Sequence, residues 1–440
     1  MMKPKKVLVF LLTAAMLLTA GCSTSGGENS ASGAGSKAAA NGENSGAGTT
    51  ASGELTFWTL NTRQEAIDPI VEKYNSENPD GKIKVSYYDT DGMKDACKVA
   101  SSSKTLPSMW FNWGGSLGSF YVKNGLTYDL TDYAKKNKWN QKFISSALSL
   151  CTLDGKISGY PTAFNALEIY YRKDIFSKYG ISVPTTFDQF EQACAKLKEN
   201  GITPISTGGL KGWHTMRFVE LLVEHYAGAD QHDKMNTFVS SWDSEPVVQA
   251  LTKYQEFCNK GYFPKGFLTA DPNNTNMALF SGTAAMDIQH QWYDGSIVQN
   301  GQDISKYGSF PFPSGGRNRL SSFAEMTQFN KNLTESQLDA CVKFMDYYYS
   351  DENAAQYGEY YNLPLPKVGA PMPEGQPNVP KIIEDSDKNG IFTITDQALP
   401  TEVADKLFDA QDAIANGQMT PKAGAAQIQK AIEDYQSKSK

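Results

Sequence analysis

The chain has 440 residues, which at roughly 150 residues per domain predicts two or three domains. Hydrophobic residues make up 40% and aromatic residues 12%, which excludes a chain that is disordered throughout. A formal net charge of −7 with no basic cluster argues against nucleic acid as the main partner, and only four His argue against a His-rich metal enzyme.

The first 22 residues have the pattern of an export signal. Lys3, Lys5 and Lys6 precede an apolar run, residues 7–18, which is too short to span a bilayer as a helix. The segment Leu-Thr-Ala-Gly-Cys that ends at Cys22 resembles a bacterial lipobox, which implies cleavage before Cys22 and diacylglycerol on its thiol. The alternative is an ordinary signal peptide with an accidental Cys. Removing residues 1–21 deletes three Lys and no acidic residue, so the formal net charge changes from −7 to −10.

The segment 22–53 is rich in Ser, Gly, Ala, Asn and Thr and predicts a flexible tether. The globular part is expected to begin at Glu54. Its first sixty residues predict strand, helix, strand, helix and strand, in that order: 55–58, 66–75, 82–88, 93–102 and 108–113. Strands that alternate with helices indicate a mostly parallel sheet with helices on both faces.

A second β/α series is predicted from residue 166 onward. It has strands at 166–171 and 203–206 and helices at 187–200, 216–226, 246–260, 335–350 and 401–416. Two α/β lobes in one chain is the simplest interpretation. Five further cysteines lack a regular spacing and are expected to be mostly buried, free thiols: Cys97, Cys151, Cys194, Cys258 and Cys341.

Five segments, taken in chain order, resemble one known family. They are 55–61 (LTFWTLN), 155–176 (GKISGYPTAFNALEIYYRKDIF) with 180–190 (GISVPTTFDQF), 280–292 (FSGTAAMDIQHQW), 310–313 (FPFP) and 363–367 (LPLPK). They resemble the extracellular solute-binding proteins (family 1) of carbohydrate ABC importers, akin to the maltose-binding protein. Together with the lipobox-like segment at Cys22, the resemblance implies a lipoprotein of this kind. The His-containing Gln-His-Gln before Trp292 departs from the family pattern, in which small residues are commoner.

The resemblance implies an α/β, two-lobe, periplasmic-binding-protein-like fold of type II, with parallel-rich sheets flanked by helices and a hinged cleft. Crossings between lobes are expected near Asn165, residues 314–322 and residues 361–364. The N-lobe would comprise 54–164 and 320–360, and the C-lobe 165–319 and 361–440. The resemblance further implies a monomeric, non-enzymatic receptor that delivers a sugar or oligosaccharide to the transmembrane subunits of an ABC permease.

Ligands of open α/β sheets bind at the carboxyl ends of the strands, and sugars need aromatic faces and planar polar groups there. Eight residues at strand ends or helix starts are therefore predicted to bind ligand: Trp58, Asn61, Asn112, Trp113, Trp213, Arg217, His290 and Trp292. The resemblance adds Asn165, at the hinge where the family commonly has a polar ligand contact, and Glu325, just after the second crossing. The alternative for each Trp is core packing, for Arg217 a surface position and for His290 a structural polar role. Core positions are expected for Trp110, Trp139 and Trp242.

A hydrolase is the competing functional class. Residues 114–118 (GGSLG) match the GxSxG nucleophile elbow, but fewer β-α units precede them than an α/β-hydrolase requires. A glycoside hydrolase would need two carboxylates that flank one bond, and no pair is singled out.

Residues 385–396 follow the calcium-loop pattern D-x-D-x-N-G, with Asp385, Asp387 and Asn389 as oxygen ligands. Asp396 at position 12 is shorter than the usual Glu, and no helix is evident before Ile382. The alternative is a polar turn over 387–390 that leads into a strand over 391–395. No other metal site and no further cofactor are predicted.

Overall fold

The computed structural model describes residues 53–438, so the signal peptide, Cys22 and the tether before Gly53 lie outside the described residues. The strands are β1 (Leu55–Leu60), β2 (Ile83–Tyr88), β3 (Met109–Trp113), β4 (Thr152–Leu153), β5 (Lys156–Ile157), β6 (Tyr160–Arg172), β7 (Thr203–Ser206), β8 (Ala284–His290), β9 (Tyr307–Phe310), β10 (Leu320–Phe329) and β11 (Ile391–Thr393).

Helices surround these strands. They are α1 (Gln64–Glu77), α2 (Thr90–Ser103), α3 (Gly115–Lys123), α4 (Thr131–Lys136), α5 (Trp139–Lys142), α6 (Ser145–Leu150), α7 (Lys173–Lys178), α8 (Phe187–Glu199), α9 (Trp213–Asn236), α10 (Glu245–Asn259), α11 (Asn276–Phe280), α12 (Trp292–Gln299), α13 (Glu335–Tyr348), α14 (Asp351–Gln356), α15 (Asn378–Asn389), α16 (Thr395–Ala398), α17 (Thr401–Ala415) and α18 (Pro421–Lys438).

The predicted alternation of strands and helices at the start of the globular part is confirmed. β1 pairs in parallel with both β2 and β3. The connecting helix α1 forms because Ile67, Ile70 and Tyr74 recur on one face, where they are buried. In the same way α2 buries Met93, Cys97 and Ala100. The expected α/β fold is therefore present, with a sheet flanked by helices.

The main sheet has the strand order β2-β1-β3-β10-β6-β8-β7, with β11 paired to β10 and β9 paired to β6. Parallel pairs lie towards its two ends, β2-β1-β3 on one side and β8-β7 on the other. Between them, β10 and β6 run antiparallel to each other, β10 runs antiparallel to β3, and β6 runs antiparallel to β8. β6 changes partners along its length: residues up to Ala166 pair with β10, and residues from Leu167 onward pair with β8. One continuous strand therefore connects two sheet regions, at a point next to Asn165.

The three tryptophans predicted to pack in the hydrophobic core do so. Trp110, Trp139 and Trp242 are all fully buried, as predicted. All five cysteines after Cys22 are free thiols, and four of them are buried. Burial raises the pKa of Cys97 to about 12, which keeps its thiol unreactive. Within residues 53–438, none of the helices has the length and apolar character needed to cross a membrane.

Helix α9 is longer than predicted. It begins at Trp213, directly after Gly212 with φ +74°, and continues to Asn236. Its helical geometry is interrupted at Gly228, where φ is 71° and ψ is 164°. The apolar residues after Gly228 follow the periodicity of a second helical segment. The pattern that predicts the helix over 216–226 therefore stops before this interruption.

The region of the calcium-loop pattern also differs from expectation. Asp385, Asp387 and Asn389 lie on α15, so the predicted turn over 387–390 and the missing helix before Ile382 were wrong. Residues two apart on a helix are rotated by about 200°, so these side chains do not converge on one point. Val379, Ile382 and Ser386 form the buried face of α15, which is the helical signal that the motif obscured.

Candidate functional site

A cavity of about 200 Å³ opens where the carboxyl ends of β1, β3 and β8 approach β10 and α9. It lies between the sheet region of β1–β3 and the sheet region of β7–β8, next to the strands that join them. Its walls include Leu60, Thr62, Arg63, Lys94, Trp113, Leu117, Trp213, Arg217, Asn273, Asn276, Gln289, His290, Trp292, Phe323, Glu325, Asn362, Ile394, Asp396 and Gln397.

Arg63 and Glu325 form a buried ion pair in one wall of the cavity. The Nη2 of Arg63 donates to Oε2 of Glu325 at 2.5 Å, and its Nη1 donates to the Tyr349 hydroxyl at 3.0 Å. Asn362 donates to the other carboxylate oxygen of Glu325 at 2.8 Å. Burial alone would lower the pKa of Arg63, but Tyr349 and Glu325 outweigh it, so the pKa is raised and the guanidinium is always charged. These contacts hold Glu325 in one orientation at the cavity surface.

Three tryptophans supply aromatic surface from different elements. Trp113 ends β3, Trp213 begins α9 and Trp292 begins α12. The ammonium of Lys94 lies 5.1 Å from the ring centre of Trp113 and 5.7 Å from that of Trp213. Trp292 stacks on His290, with ring centres 6.0 Å apart. Flat aromatic faces in a polar cavity suit the apolar C–H face of a pyranose ring.

Arg217 forms the floor of the cavity on the α9 side. Its Nη1 donates to the Ile288 carbonyl at 2.9 Å and to Gln289 Oε1 at 3.1 Å, and its guanidinium lies 4.8 Å from the Trp213 ring centre. Burial lowers the pKa of Arg217, while Asp287 and Asp396 oppose that effect. Burial, together with Arg217 and Arg63, also lowers the pKa of His290 well below its ordinary value, so His290 is neutral near pH 7.

Asp396 lies in the short helix α16 and faces the same cavity. Its burial raises the pKa of the carboxyl, an effect that Lys94 and Arg217 oppose. Beneath it, the carboxylate of Glu220 accepts a hydrogen bond from the Thr395 backbone at 2.8 Å. Burial raises the pKa of Glu220 to about 8, so this group holds a proton near pH 7.

Several buried polar atoms of the cavity residues have no hydrogen-bond partner among the described residues. They are Nε1 of Trp213, Nε of Arg217, Nδ1 of His290, Oδ1 of Asn362 and Oδ1 of Asp396. A buried donor or acceptor without a partner costs about 1–3 kcal/mol, and a ligand with hydroxyl groups satisfies both kinds. The arrangement can therefore bind a polyhydroxylated molecule whose ring rests on tryptophan.

A second cavity, of about 490 Å³, adjoins the first. The two share Lys94, Trp113, Leu117, Trp213 and Asp396 as walls. The second cavity extends along α2 and α3 towards α17, where Phe120 and Phe408 contribute aromatic surface. Together the two volumes fall within the ~300–1,000 Å³ typical of small-molecule sites.

Six of the ten predicted ligand-binding residues line the first cavity: Trp113, Trp213, Arg217, His290, Trp292 and Glu325. Asn112 lines the second cavity and donates to Gln328 at 2.7 Å. Arg217 is buried, so the alternative of a surface position does not describe it. Trp113 lines the cavity and also packs in the core, on Phe111 with ring centres 4.7 Å apart.

Trp58, Asn61 and Asn165 line neither cavity. Trp58 packs on Tyr88 of the neighbouring strand, with ring centres 5.2 Å apart, and Asn61 is exposed. Asn165 is fully buried within β6, and neither of its side-chain polar atoms has a partner among the described residues. The structure thus places these three residues apart from the other seven.

Sequence reasoning did not identify Arg63, Lys94 and Asp396 as cavity residues. Arg63 follows the first strand by three positions, so the strand-end argument that selected Asn61 applies equally to it. The sequence marks Asp396 only as the last position of the calcium-loop pattern over 385–396. Lys94 lies in the first turns of α2 and carries no local signal of its own.

The GxSxG segment does form a turn from strand to helix, between β3 and α3. Gly115 has φ +62°, which lets this turn approach Gln397 closely. The Ser116 hydroxyl donates to the Asp396 backbone carbonyl at 2.9 Å. In the described part of the chain, Ser116 has no hydrogen bond to a histidine, unlike the serine of a Ser-His-Asp triad.

Comparison with known proteins gives a consistent result. Residues 69–379 match the family model described as bacterial extracellular solute-binding protein. An uncharacterised ABC transporter extracellular-binding protein of Pyrococcus horikoshii is 26% identical over 278 residues, which cover 59% of this chain and 60% of that protein. The chain therefore spans less than two thirds of the length of this relative.

The multiple sugar-binding protein of Streptococcus mutans is 22% identical over 394 residues, which cover 82% of this chain and 90% of that protein. A solved structure described as a chitin oligosaccharide binding protein superposes with a TM-score of 0.79 at 24% identity and covers 87% of this chain and 98% of the other. At that identity the superposition establishes the fold.

Proposed function

The chain belongs to the bacterial extracellular solute-binding protein family, and on that premise we propose that it captures a sugar or oligosaccharide outside the cell and delivers it to an ABC permease. The relatives named above are binding proteins, and one is named for sugars. In this proposal the protein is a receptor and carries out no covalent chemistry.

The observation that supports a sugar best is the chemistry of the cavity between the two sheet regions. Trp113, Trp213 and Trp292 offer ring faces from three separate elements. Unpartnered donors on Trp213 and Arg217 and an unpartnered acceptor on Asp396 lie in the same walls. Only a ligand that combines an apolar face with many hydroxyl groups uses all of these at once.

Delivery requires a difference between the empty and the loaded receptor. Walls from β1–β3 and from β8 and α9 contact the ligand together, so binding energy favours the arrangement in which the two sides are closed. The permease would recognise that arrangement. Because β6 and β10 run between the two sides, these strands are the proposed hinge.

The signal pattern before Cys22 completes the proposal. Cleavage and lipidation there would anchor a monomeric receptor to the outer face of the bacterial cell membrane, with residues 22–53 as a spacer. The partners are then the sugar, the transmembrane subunits of the permease and the membrane, reached through the lipid, and nucleic acid is not a partner.

Thermal shift followed by calorimetry against a panel of mono- and oligosaccharides tests the receptor function. We expect at least one carbohydrate to raise the melting temperature and to bind with a 1:1 stoichiometry. If no carbohydrate bound while the purified protein cleaved a glycoside or an ester, the receptor function would be lost and a secreted hydrolase would replace it.

A further inference from the structure

The three arginines that are buried within residues 53–438 differ in whether a carboxylate pairs with them. Arg63 pairs with Glu325, and Arg319 makes two hydrogen bonds to Glu224, of 2.8 and 2.9 Å, and two more to Asp233. Arg217 is only 6% exposed, yet within residues 53–438 it forms no salt bridge, and its Nη1 meets only a backbone carbonyl and an amide oxygen. Buried charges are normally paired, so the partner of Arg217 is missing.

The position of Arg217 shows where that partner would come from. Its guanidinium lines the cavity, and its buried Nε has no acceptor. One turn earlier on the same helix, the indole Nε1 of Trp213 is also buried and without an acceptor. Two unpartnered N–H donors therefore lie side by side, because the guanidinium stacks 4.8 Å from the Trp213 ring centre.

The helix itself adds positive potential at this point. Trp213 is the first residue of α9, the preceding Gly212 provides no side-chain cap, and the first turn contains no acidic residue. The N-terminus of a helix carries roughly half a positive charge, and its free N–H groups favour anions. Lys94 lies 5.7 Å from the Trp213 ring centre and brings a second full positive charge from the opposite side of the cavity.

The negative charges near this point are weaker partners. Asp91 approaches Lys94 at 3.5 Å but lies on the same helix, three residues earlier. Asp287 acts on Arg217 through space, and its Oδ1 contacts His214 at 3.1 Å. Glu325, the other acid of the cavity wall, is paired with Arg63. Asp396 and Glu220 also act on Arg217 through space, and none of these acids makes a salt bridge to it among the described residues.

We propose that the ligand carries an anionic group, which accepts hydrogen bonds from Arg217 Nε and Trp213 Nε1 at the N-terminus of α9 and lies within electrostatic reach of Lys94. This inference rests on the proposed function and narrows it: the receptor prefers an acidic carbohydrate over its neutral counterpart. The shared chemistry is an oxyanion on a sugar, present as the carboxylate of a uronic acid, a sulfate ester or a phosphate ester.

Calorimetry with matched pairs of sugars tests the preference and separates the three sources. The pairs are α-1,4-digalacturonate against α-1,4-galactobiose, lactose 3′-sulfate against lactose, and trehalose 6-phosphate against trehalose, each added to the wild-type protein. Hydrogen bonds to charged groups are worth enough for a preference of about ten-fold, so we expect one acidic member to bind at least that much tighter than its neutral partner. Raising the salt concentration should weaken only the acidic member.

Variants locate the preference. Arg217→Gln should abolish the discrimination between the acidic and the neutral member, and Lys94→Met should reduce it. Arg317→Gln is the matched control, because Arg317 is exposed and lines neither cavity, so the same change of charge should leave the discrimination intact. If Arg217→Gln fails to fold by circular dichroism, Lys94→Met and the salt dependence carry the test.

Two results contradict the proposal in different ways. If the wild-type protein binds neutral sugars as tightly as acidic ones, the proposed anionic specificity is wrong. The same holds if Arg217→Gln binds both the neutral and the acidic sugars with wild-type affinity. In either case the sugar-receptor function stands. If neither class binds the folded wild-type protein, the receptor function and the specificity both fall.

Discussion

Two glutamates one turn apart near the middle of α9, Glu220 and Glu224, differ in their protonation because their surroundings differ. Burial raises the pKa of Glu220 to about 8. Burial would also raise the pKa of Glu224, but hydrogen bonds from His232 and Arg319 outweigh it and lower the value to about 2. The same residue type on the same helix is thus neutral in one place and charged in the other.

The difference follows from what faces each residue. Around Glu224 the chain brings together Arg319, His232 and Asp233, and the Ala229 carbonyl at the Gly228 break accepts a further bond from Arg319. Among the described residues neither Glu220 nor Arg217 has such an ion pair: Glu220 accepts a hydrogen bond from the Thr395 backbone, and Arg217 borders the cavity with an unpartnered Nε. Charge that the fold satisfies by itself stabilises the scaffold, whereas charge left unsatisfied at a cavity is available to a ligand.

The largest expected effect is a loss of stability when Arg319, the arginine that is paired with Glu224 and Asp233, is replaced. Arg319→Met leaves the buried Glu224 with His232 alone, and losing one partner of a buried pair typically costs about 3–5 kcal/mol in the free energy of unfolding. Urea denaturation measures it, and the neighbouring exposed Arg317→Met provides the control. A loss below about 1 kcal/mol would show that the pair around Glu224 does not stabilise the scaffold.

The pH dependence of stability should separate the two glutamates. The native pKa of Glu224 is lowered from 4.5 to about 2, so its contribution is complete above about pH 5 and is lost as the pH falls towards 2. The native pKa of Glu220 is raised from 4.5 to about 8, so the unfolded state ionises first and stability falls as the pH rises from about 5 to 8. Each slope is at most about 1.4 kcal/mol per pH unit.

Isosteric variants assign these slopes to their residues. In urea unfolding between pH 2 and pH 9, Glu224→Gln should flatten the acid limb and leave the limb between pH 5 and 8 unchanged. Glu220→Gln should do the reverse, with higher stability than wild type at pH 8. Identical pH profiles for wild type and both variants would remove the contrast between Glu220 and Glu224.

A smaller effect is expected for the aromatic walls of the cavity. Trp213→Ala or Trp292→Ala should weaken sugar binding by about 1 kcal/mol, or roughly five-fold, since stacking on a ring contributes about that much beyond area burial. Trp58→Ala is the control, because Trp58 packs on Tyr88 outside both cavities. Calorimetry that found the affinity reduced only in Trp58→Ala would move the ligand to the end of β1.

The smallest expected effect concerns calcium. Asp387 lies on the opposite face of α15 from Asp385 and Asn389, and the carboxylate of Asp385 is already paired with Lys381. We therefore expect the same melting temperature in excess calcium and in chelator. A rise of several degrees with calcium would mean that α15 unwinds to form the loop.

Much of the fold follows from patterns a few residues long. The strand over Thr203–Ser206 matches its prediction to the residue. Helices α8 and α17 each end one residue earlier than predicted, and α10 is shifted by one residue at both ends. Alternation and 3.6-residue periodicity express local burial, which each segment carries by itself. The same reasoning failed at α15, because the polar residues 385–390 favour a turn or a calcium loop, whereas the buried face of Val379 and Ile382 makes the segment a helix.

Membership of the candidate site was only partly predictable. Both Trp58 and Trp113 lie towards the end of a strand, and the sequence marks them equally. Trp113 ends β3, which lies next to β10 and the cavity, whereas Trp58 belongs to β1 and its ring packs against Tyr88 of the edge strand β2. Strand order, which depends on contacts distant in sequence, decides between them.

The sequence by itself determined the alternation of strands and helices, the buried tryptophans of the core and the family resemblance that names a two-lobe receptor. Only the tertiary structure decided which charges are matched. Arg217 and Arg319 are both buried arginines, but carboxylates meet Arg319 because residues 86 and 95 positions away fold against it, while Arg217 meets none. Whether a buried charge has an ion-pair partner depends on which charged residues lie within a few ångströms of it in space. A local sequence pattern does not show these distances.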